Sequence, residues 1–320
     1  MRLTRSMGLI RSMGLTRGTP TAFRSRLARL IRLPLRLIPS SAIVPILSGP
    51  GRGMRWIVGS APHGAWLGVL ERDKLTPFVA RLQSGMTVWD IGANVGLYTL
   101  PSARAVGPRG HVVAFEPMPR NLDFLRRHLG LNGLGGVAVC PVAVSDAAGT
   151  LKMAEGDSPS EFHADAAGSV EVTAVTLDDW LSESGGPPPD VVKIDVEGSD
   201  DAVLRGGARS FAKYRPSIYL ALHGERQRRA CRDLLGSWGY EITSLEPGLD
   251  PDLSSEWLAD SRTCRSRASS STSSGWRPTR PSPGWPTAFS PGAGGGSPTF
   301  GAGAISAPTS PAARRSWRIS

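Results

Sequence analysis

The stretch Val88-Trp-Asp-Ile-Gly-Ala-Asn-Val-Gly-Leu-Tyr-Thr99 decides how the rest of this chain is read. Thr87–Ile91 has the apolar character of a buried strand, and it runs straight into a turn where Gly92 and Gly96 remove side chains. Glycine in such a turn lets a ligand, or the N-terminus of the following helix, approach the main chain closely. Helical spacing resumes over Leu97–Val106, so the turn joins a strand to a helix, the unit from which parallel sheets are assembled.

The same alternation repeats outward in both directions. Strands are expected at His111–Phe115, Val137–Ala143, Val191–Val196, Ile218–Leu222 and Tyr240–Leu245, with a final short one near Trp257–Ala259. Helices fit between them at Pro119–Gly130, Asp200–Phe211 and Glu225–Trp238, and Pro119 suits a first helical turn, where its missing N–H is not needed. Gly149–Ala154 and Val170–Leu177 read as an added β-hairpin, followed by a short helix starting at Leu177–Leu181. The expected fold is therefore α/β, a doubly wound, mostly parallel, Rossmann-like sheet with an inserted hairpin.

Charge divides the 320 residues into three parts. Residues 1–40 hold nine Arg and no acid, and residues 261–320 hold eight Arg and no acid; the total of +10 then leaves −7 for residues 41–260. The globular domain is expected at 41–260, with its core at about 56–260, between a basic, mostly disordered arm and a disordered tail rich in Ser, Pro, Gly and Thr. Because the positive charge lies at the ends, a nucleic-acid partner is not expected. The arm repeats Arg-Ser-Met-Gly-Leu at 5–9 and 11–15 and places Phe23, Leu27, Leu30 and Ile31 among arginines, which suits at most a weak peripheral contact with anionic lipid. Because so short a helix is marginal in water, a solvated arm, or an over-long start with a later Met such as Met54 as initiator, is the preferred reading of the same segment. Cys140, Cys231 and Cys264 show neither zinc nor disulfide spacing, and no run is long and apolar enough to span a membrane, so a cytoplasmic location is expected.

The acids at the strand ends carry the chemistry. A dinucleotide turn would follow G-x-G-x-x-G, whereas here the order is Asp90-x-Gly92-x-Asn94-x-Gly96, with an acid that repels pyrophosphate and welcomes a cation. S-adenosylmethionine, with its sulfonium and ammonium, fits that sign better than NAD. Glu116 ends the second strand, where a carboxylate can accept the hydroxyls of a ribose. Asp146, after the third strand, is placed to accept from an adenine amine. Asp195 and Glu197, two residues apart, share one face if the fourth strand continues through them, and His223 leaves the fifth strand at the same edge. These three are the candidates for aligning an acceptor and removing its proton. Their residue types also suit a divalent cation, but nothing in their spacing calls for one, and no metal is assigned.

Taken in order, Asp90-Ile-Gly-Ala-Asn-Val-Gly96, Phe115-Glu-Pro117, Ala143-Val-Ser-Asp146, Thr176-Leu-Asp178, Lys193-Ile-Asp-Val-Glu-Gly198 and Val203-Leu-Arg-Gly206 resemble the FkbM-type methyltransferase family over about Trp66 to Ala259. The resemblance implies a class I methyltransferase fold, S-adenosylmethionine as donor, and O-methylation of a sugar-containing or other secondary metabolite, a small-molecule acceptor. Two positions depart from the pattern. Ala221 stands where many similar proteins have Glu, and Asp200 where Glu is more usual. Loss of the first acid leaves the base unassigned and motivates the reading of a degenerate domain that binds cofactor or a partner without turnover; the enzymatic rival is an NAD-dependent oxidoreductase.

Overall fold

The computed structural model describes residue 35 and residues 37–155, 162–165 and 167–261. The basic arm before residue 35 and the tail after residue 261 lie outside the described residues. Along the chain come β1 (Ile43–Pro45), β2 (Arg55–Ile57), α1 (Gly64–Leu67), α2 (Arg72–Ala80), β3 (Thr87–Ile91), α3 (Thr99–Val106), β4 (His111–Phe115), α4 (Pro119–Leu131) and β5 (Ala138–Cys140). Then follow β6 (Ala143–Val144), β7 (Gly149–Glu155), β8 (Phe162–Ala164), β9 (Val170–Val175), α5 (Leu177–Ser184), β10 (Val191–Ile194), α6 (Asp200–Gly206), α7 (Ala208–Tyr214), β11 (Ser217–Ala221), α8 (Glu225–Ser237), β12 (Tyr240–Ser244) and β13 (Glu256–Ser261).

The central sheet has the order β12-β13-β11-β10-β3-β4-β5. Strands β11, β10, β3, β4 and β5 are parallel, while β13 is inserted antiparallel between β11 and β12. This is the doubly wound, Rossmann-like, mostly parallel arrangement expected of a class I methyltransferase. Chain order runs outward from β3 in one direction through β4 and β5, and resumes on its other side with β10 and β11. The carboxyl edge between β3 and β10 is therefore a topological switch point, where open α/β sheets leave a crevice.

Strand β3 is buried throughout, and its alternation sends side chains into two cores. Trp89 and Ile91 join Phe115, Ile194, Leu177, Trp180, Val203 and Leu235 on the face covered by α5 to α8, whereas Val88 packs with Phe78, Tyr98, Val106 and Tyr219 beneath α2 and α3. Trp89 and Phe115 both meet Trp180 edge-on, with centroids 5.4 and 4.9 Å away. Each such fully buried side chain is worth about 1.5–3 kcal/mol relative to exposure, which is why an apolar strand of five residues can anchor the turn that follows it.

Four expectations need correction. Val137–Ala143 is not one strand: Pro141 offers no N–H to a ladder, Val142 N–H bends back to the Cys140 carbonyl at 2.9 Å, and Ala143–Val144 joins a different sheet. That second sheet, ordered β6-β9-β7-β8, contains the expected hairpin as β7 and β9 but is four-stranded. Helix Asp200–Phe211 breaks at Gly206-Gly207, where two poor helix formers adjoin. The fourth strand stops at Ile194, so Asp195 and Glu197 lie beyond it.

Residues 43–80 carry no clear strand signal in the sequence, yet β1 and β2 form an antiparallel hairpin that is locked to α4 by His128. The imidazole Nε2 accepts the Ile57 N–H at 3.0 Å, so Nδ1 carries the proton and donates to the Val95 carbonyl at 2.8 Å; the ring stacks on Trp56 at 4.1 Å. Burial holds this histidine down to a pKa of about 4. Because the folded value is depressed below the unfolded one, the contribution is intact above pH 6.5 and is lost as pH falls toward 4, by about 3 kcal/mol. A nuclear magnetic resonance titration should show His128 neutral down to pH 5; protonation near 6.5 would contradict this assignment.

Candidate functional site

A cavity of about 800 Å³ opens at the carboxyl ends of β3, β4 and β10, within the size range of small-ligand pockets. Its sheet side is formed by the turn 91–95, Glu116 and the 195–197 segment, and its far wall by the N-terminal layer, including His63 and Glu71. Of the residues singled out from the sequence, Gly92, Asn94, Glu116, Asp195 and Glu197 line it.

The glycine turn is held by main-chain and side-chain bonds from several elements. Gly92 and Ala93 N–H both donate to the Phe115 carbonyl at 3.0 Å, and Asn94, itself at φ 51°, donates its N–H to Glu116 Oε2 at 2.8 Å. Gly92 has φ 76°, and a Cβ there would lie 2.0 Å from the Asp195 carbonyl oxygen. No other residue can occupy this contact, because the turn after β3 presses directly on the turn after β10. Glu116 Oε1 accepts the Met118 N–H at 2.9 Å, leaving the carboxylate rigid and almost wholly enclosed, with further acceptor capacity toward the cavity it lines. Burial pushes this carboxyl up to about 7, against the hydrogen bonds from Met118, Asn94 and Asn121.

Asp90 does not do what its position at the strand end suggested. It is 1% exposed and absent from the cavity wall; Oδ2 accepts from Thr99 Oγ1 at 2.6 Å, and Oδ1 is 3.5 Å from Lys193 Nζ. Lys193 also approaches Asp195 Oδ2 at 3.5 Å and donates to the Gly92 carbonyl at 2.9 Å. Burial acts to lower its pKa, but Asp195 and Asp90 outweigh that and hold the ammonium above its ordinary value. The charge of Asp90 is thus consumed in an array in which buried Asp90 and Lys193 continue to half-buried Asp195, tying β3 to the turn after β10. Lys193 was missed in the sequence; the available signal was a lysine in an otherwise apolar strand, which cannot be buried without partners.

Asp146 is likewise displaced from its expected role. It is outside the cavity wall and pairs with Arg205 at 3.0 Å on the surface. Asp195, Glu197 and His223, by contrast, are brought together. Their ligand-capable atoms lie within 4.8 Å of one another, and His223 Nε2 is 3.2 Å from Glu197 Oε2. They do not meet by sharing a strand face, since β10 ends at Ile194; Glu197 turns back through a left-handed conformation at φ 51°. Behind them lies Asp200, fully buried at the start of α6 and pushed up to about 7 by burial and by the charge of Asp195. Such a cluster can orient a polar group, accept a proton or hold a cation.

Tyr98 and Lys74, also missed, belong to the same neighbourhood. The Lys193 ammonium lies 5.1 Å from the Tyr98 ring, and Lys74 is bonded to Glu256 of the antiparallel β13. No local spacing links residues so distant in sequence.

Residues 90–242 match the family model described as Methyltransferase FkbM domain. The chain is similar to Methyltransferase sdnD of Sordaria araneosa, with 31% identity over 163 residues, covering 40% of this chain and 62% of that protein. It is similar to Hexuronic acid methyltransferase AglP of Haloferax volcanii, with 27% identity over 142 residues and coverage of 42% and 56%. With 2-O-methyltransferase NoeI of Sinorhizobium fredii it shares 28% identity over 200 residues, covering 52% and 77%. The chain thus spans less than two thirds of the length of the first two relatives.

Proposed function

We propose, from the match of residues 90–242 to the Methyltransferase FkbM domain model, that the protein transfers a methyl group from S-adenosylmethionine to a hydroxyl of a small, sugar-containing or other secondary-metabolite acceptor. The observation that carries the reading is one cavity flanked by a glycine turn with a buried carboxylate, Glu116, and by the Asp195, Glu197 and His223 cluster. Two relatives support the acceptor class, one named a hexuronic acid methyltransferase and one a 2-O-methyltransferase.

The residues present fit the donor. Gly92, whose missing Cβ leaves room for the Asp195 carbonyl, keeps the turn packed against the cavity wall, and Glu116, fixed by the Asn94 and Met118 N–H groups, offers acceptor oxygens to the two ribose hydroxyls. Asp195 and Glu197 bring negative charge to the cavity wall, which suits a cationic donor and opposes a pyrophosphate. Asp90 acts at one remove, by holding Lys193 under the turn, and Asp146 has no part in this reading.

When bound, the donor supplies a methyl group activated by a positively charged sulfur. The protein has to align the acceptor oxygen with it, a task worth about 7–11 kcal/mol where the geometry is good. Glu197 Oε2 accepts from His223 Nε2–H and so orients the imidazole, leaving Nδ1 to take the acceptor's proton while the carboxylate stabilises the imidazolium. A positioned base contributes about 10²–10⁴-fold.

Calorimetric titration of the full chain with S-adenosylmethionine, its demethylated product and NAD tests the reading. Saturable binding of the first two and none of the third is expected. Affinity for NAD alone would transfer the protein to the oxidoreductases. Labelled methyl transfer into a metabolite extract then separates an enzyme from a domain that only binds.

A further inference from the structure

We infer that Asp195, Glu197 and His223 form a binding site for one divalent first-row metal ion at the acceptor end of the cavity. Two carboxylates and one imidazole present their ligand atoms within 4.8 Å of one another, from the loop after β10 and the loop after β11. Oxygen and imidazole donors together suit ions of the Mn²⁺ and Zn²⁺ kind better than calcium, which takes oxygen alone. Asp195 and Glu197 line the cavity, so coordination positions left open by three protein ligands would face an incoming acceptor.

A second observation, independent of the cluster, points the same way. Asp200 is fully buried, and although the main-chain N–H groups of Asp200 and Val196 act on its carboxylate, neither oxygen makes a hydrogen bond of ordinary geometry among the described residues. The charged groups that act on it most strongly are Asp195 and His223, two members of the cluster. A buried carboxylate so poorly satisfied is costly. The nearby balance is also negative: Asp90, Asp195, Glu197 and Asp200 face Lys193 and the His223 imidazole, and Lys193 is already shared between Asp90 and Asp195. A dication between Asp195, Glu197 and His223 offsets that excess and gives Asp200 a positive charge to look at from the outer shell, a common place for a carboxylate behind metal ligands.

The part of the inference concerning the acceptor rests on the function proposed above; the binding itself does not. With Nε2 of His223 on the ion, the acceptor hydroxyl would lose its proton to water under the influence of the dication instead of to the imidazole. The O–C bond then forms as the C–S bond breaks, leaving a neutral thioether.

The test is electron paramagnetic resonance of Mn²⁺ titrated into the full chain, alongside Glu197→Gln, His223→Ala and Asp146→Asn. Glu197 and His223 are partly exposed, so their replacement should leave the fold intact, and circular dichroism checks that it does. One bound Mn²⁺ per chain is expected, with affinity reduced at least tenfold in Glu197→Gln and His223→Ala and unchanged in Asp146→Asn. Absence of bound Mn²⁺, or binding equally strong in all four proteins, overturns the site. Calorimetry with S-adenosylmethionine on the same samples keeps the two ideas apart: donor binding without Mn²⁺ binding removes only the metal site, and the converse removes only the assigned donor.

Discussion

Glu116→Ala should weaken S-adenosylmethionine binding by about a hundredfold or more, measured by calorimetry. A carboxylate accepting two hydroxyl groups makes charge-assisted hydrogen bonds worth about 1.5–3 kcal/mol each, and about 1.4 kcal/mol corresponds to a factor of ten. Alanine also leaves the Asn94 and Met118 N–H groups without their partner, so part of the loss would come from the turn. Glu116→Gln separates the two contributions, because it keeps the shape and one acceptor oxygen; a loss of about tenfold is expected there. Unchanged affinity in both variants would remove Glu116 from the donor site.

The same carboxyl should make binding pH-dependent. Its folded pKa of about 7 is raised by burial. The ionised form accepts from both hydroxyls more strongly than the neutral one, so donor affinity should fall as pH drops below 7 and level off near the roughly tenfold loss expected of Glu116→Gln. The contribution to folding has the opposite sign. A carboxyl whose folded pKa lies above its unfolded value stabilises the donor-free protein at pH below 4.5, and that contribution is lost as pH rises through 7. Rising pH should therefore tighten donor binding while this group weakens the free fold, and Glu116→Gln should flatten both trends.

Gly92→Ala is expected to destabilise the protein by about 4 kcal/mol or more, read as a fall in the midpoint of denaturant unfolding. The added Cβ would stand 2.0 Å from the Asp195 carbonyl oxygen, an atom of the main chain that no rotamer change can move, and φ 76° is itself unfavourable for alanine. Relief requires the turns after β3 and β10 to separate. That movement would also stretch the Lys193 bond to the Gly92 carbonyl and shift Asp195. Donor binding should consequently be lost even in whatever fraction remains folded. Wild-type stability and affinity in Gly92→Ala would show that the two turns do not pack as described.

The fold was legible because its signals are local. An apolar five-residue strand, two glycines at the turn and a proline at the start of a helix each act through their own neighbours, and β3, β4, α4 and the antiparallel β13 appear where these signals put them. Boundaries failed where a single residue or a tertiary contact intervened, as at Pro141 and at the end of β10. The N-terminal hairpin escaped notice for a different reason: its stability comes from His128 and Trp56, joined across a long stretch of chain, and not from its own alternation.

By itself the sequence determined the parallel sheet, the crevice at its switch point and the set of acids presented at that edge, since strand length and turn chemistry are written residue by residue. Only the tertiary structure decided what each acid faces. Asp90 is drawn to Lys193 and Thr99, Asp146 to Arg205, Glu116 to two main-chain N–H groups, while Asp195 and Glu197 meet His223 from another loop. A buried charge takes the partner that packing brings within reach, and that partner lies far along the chain, where local spacing carries no information about it.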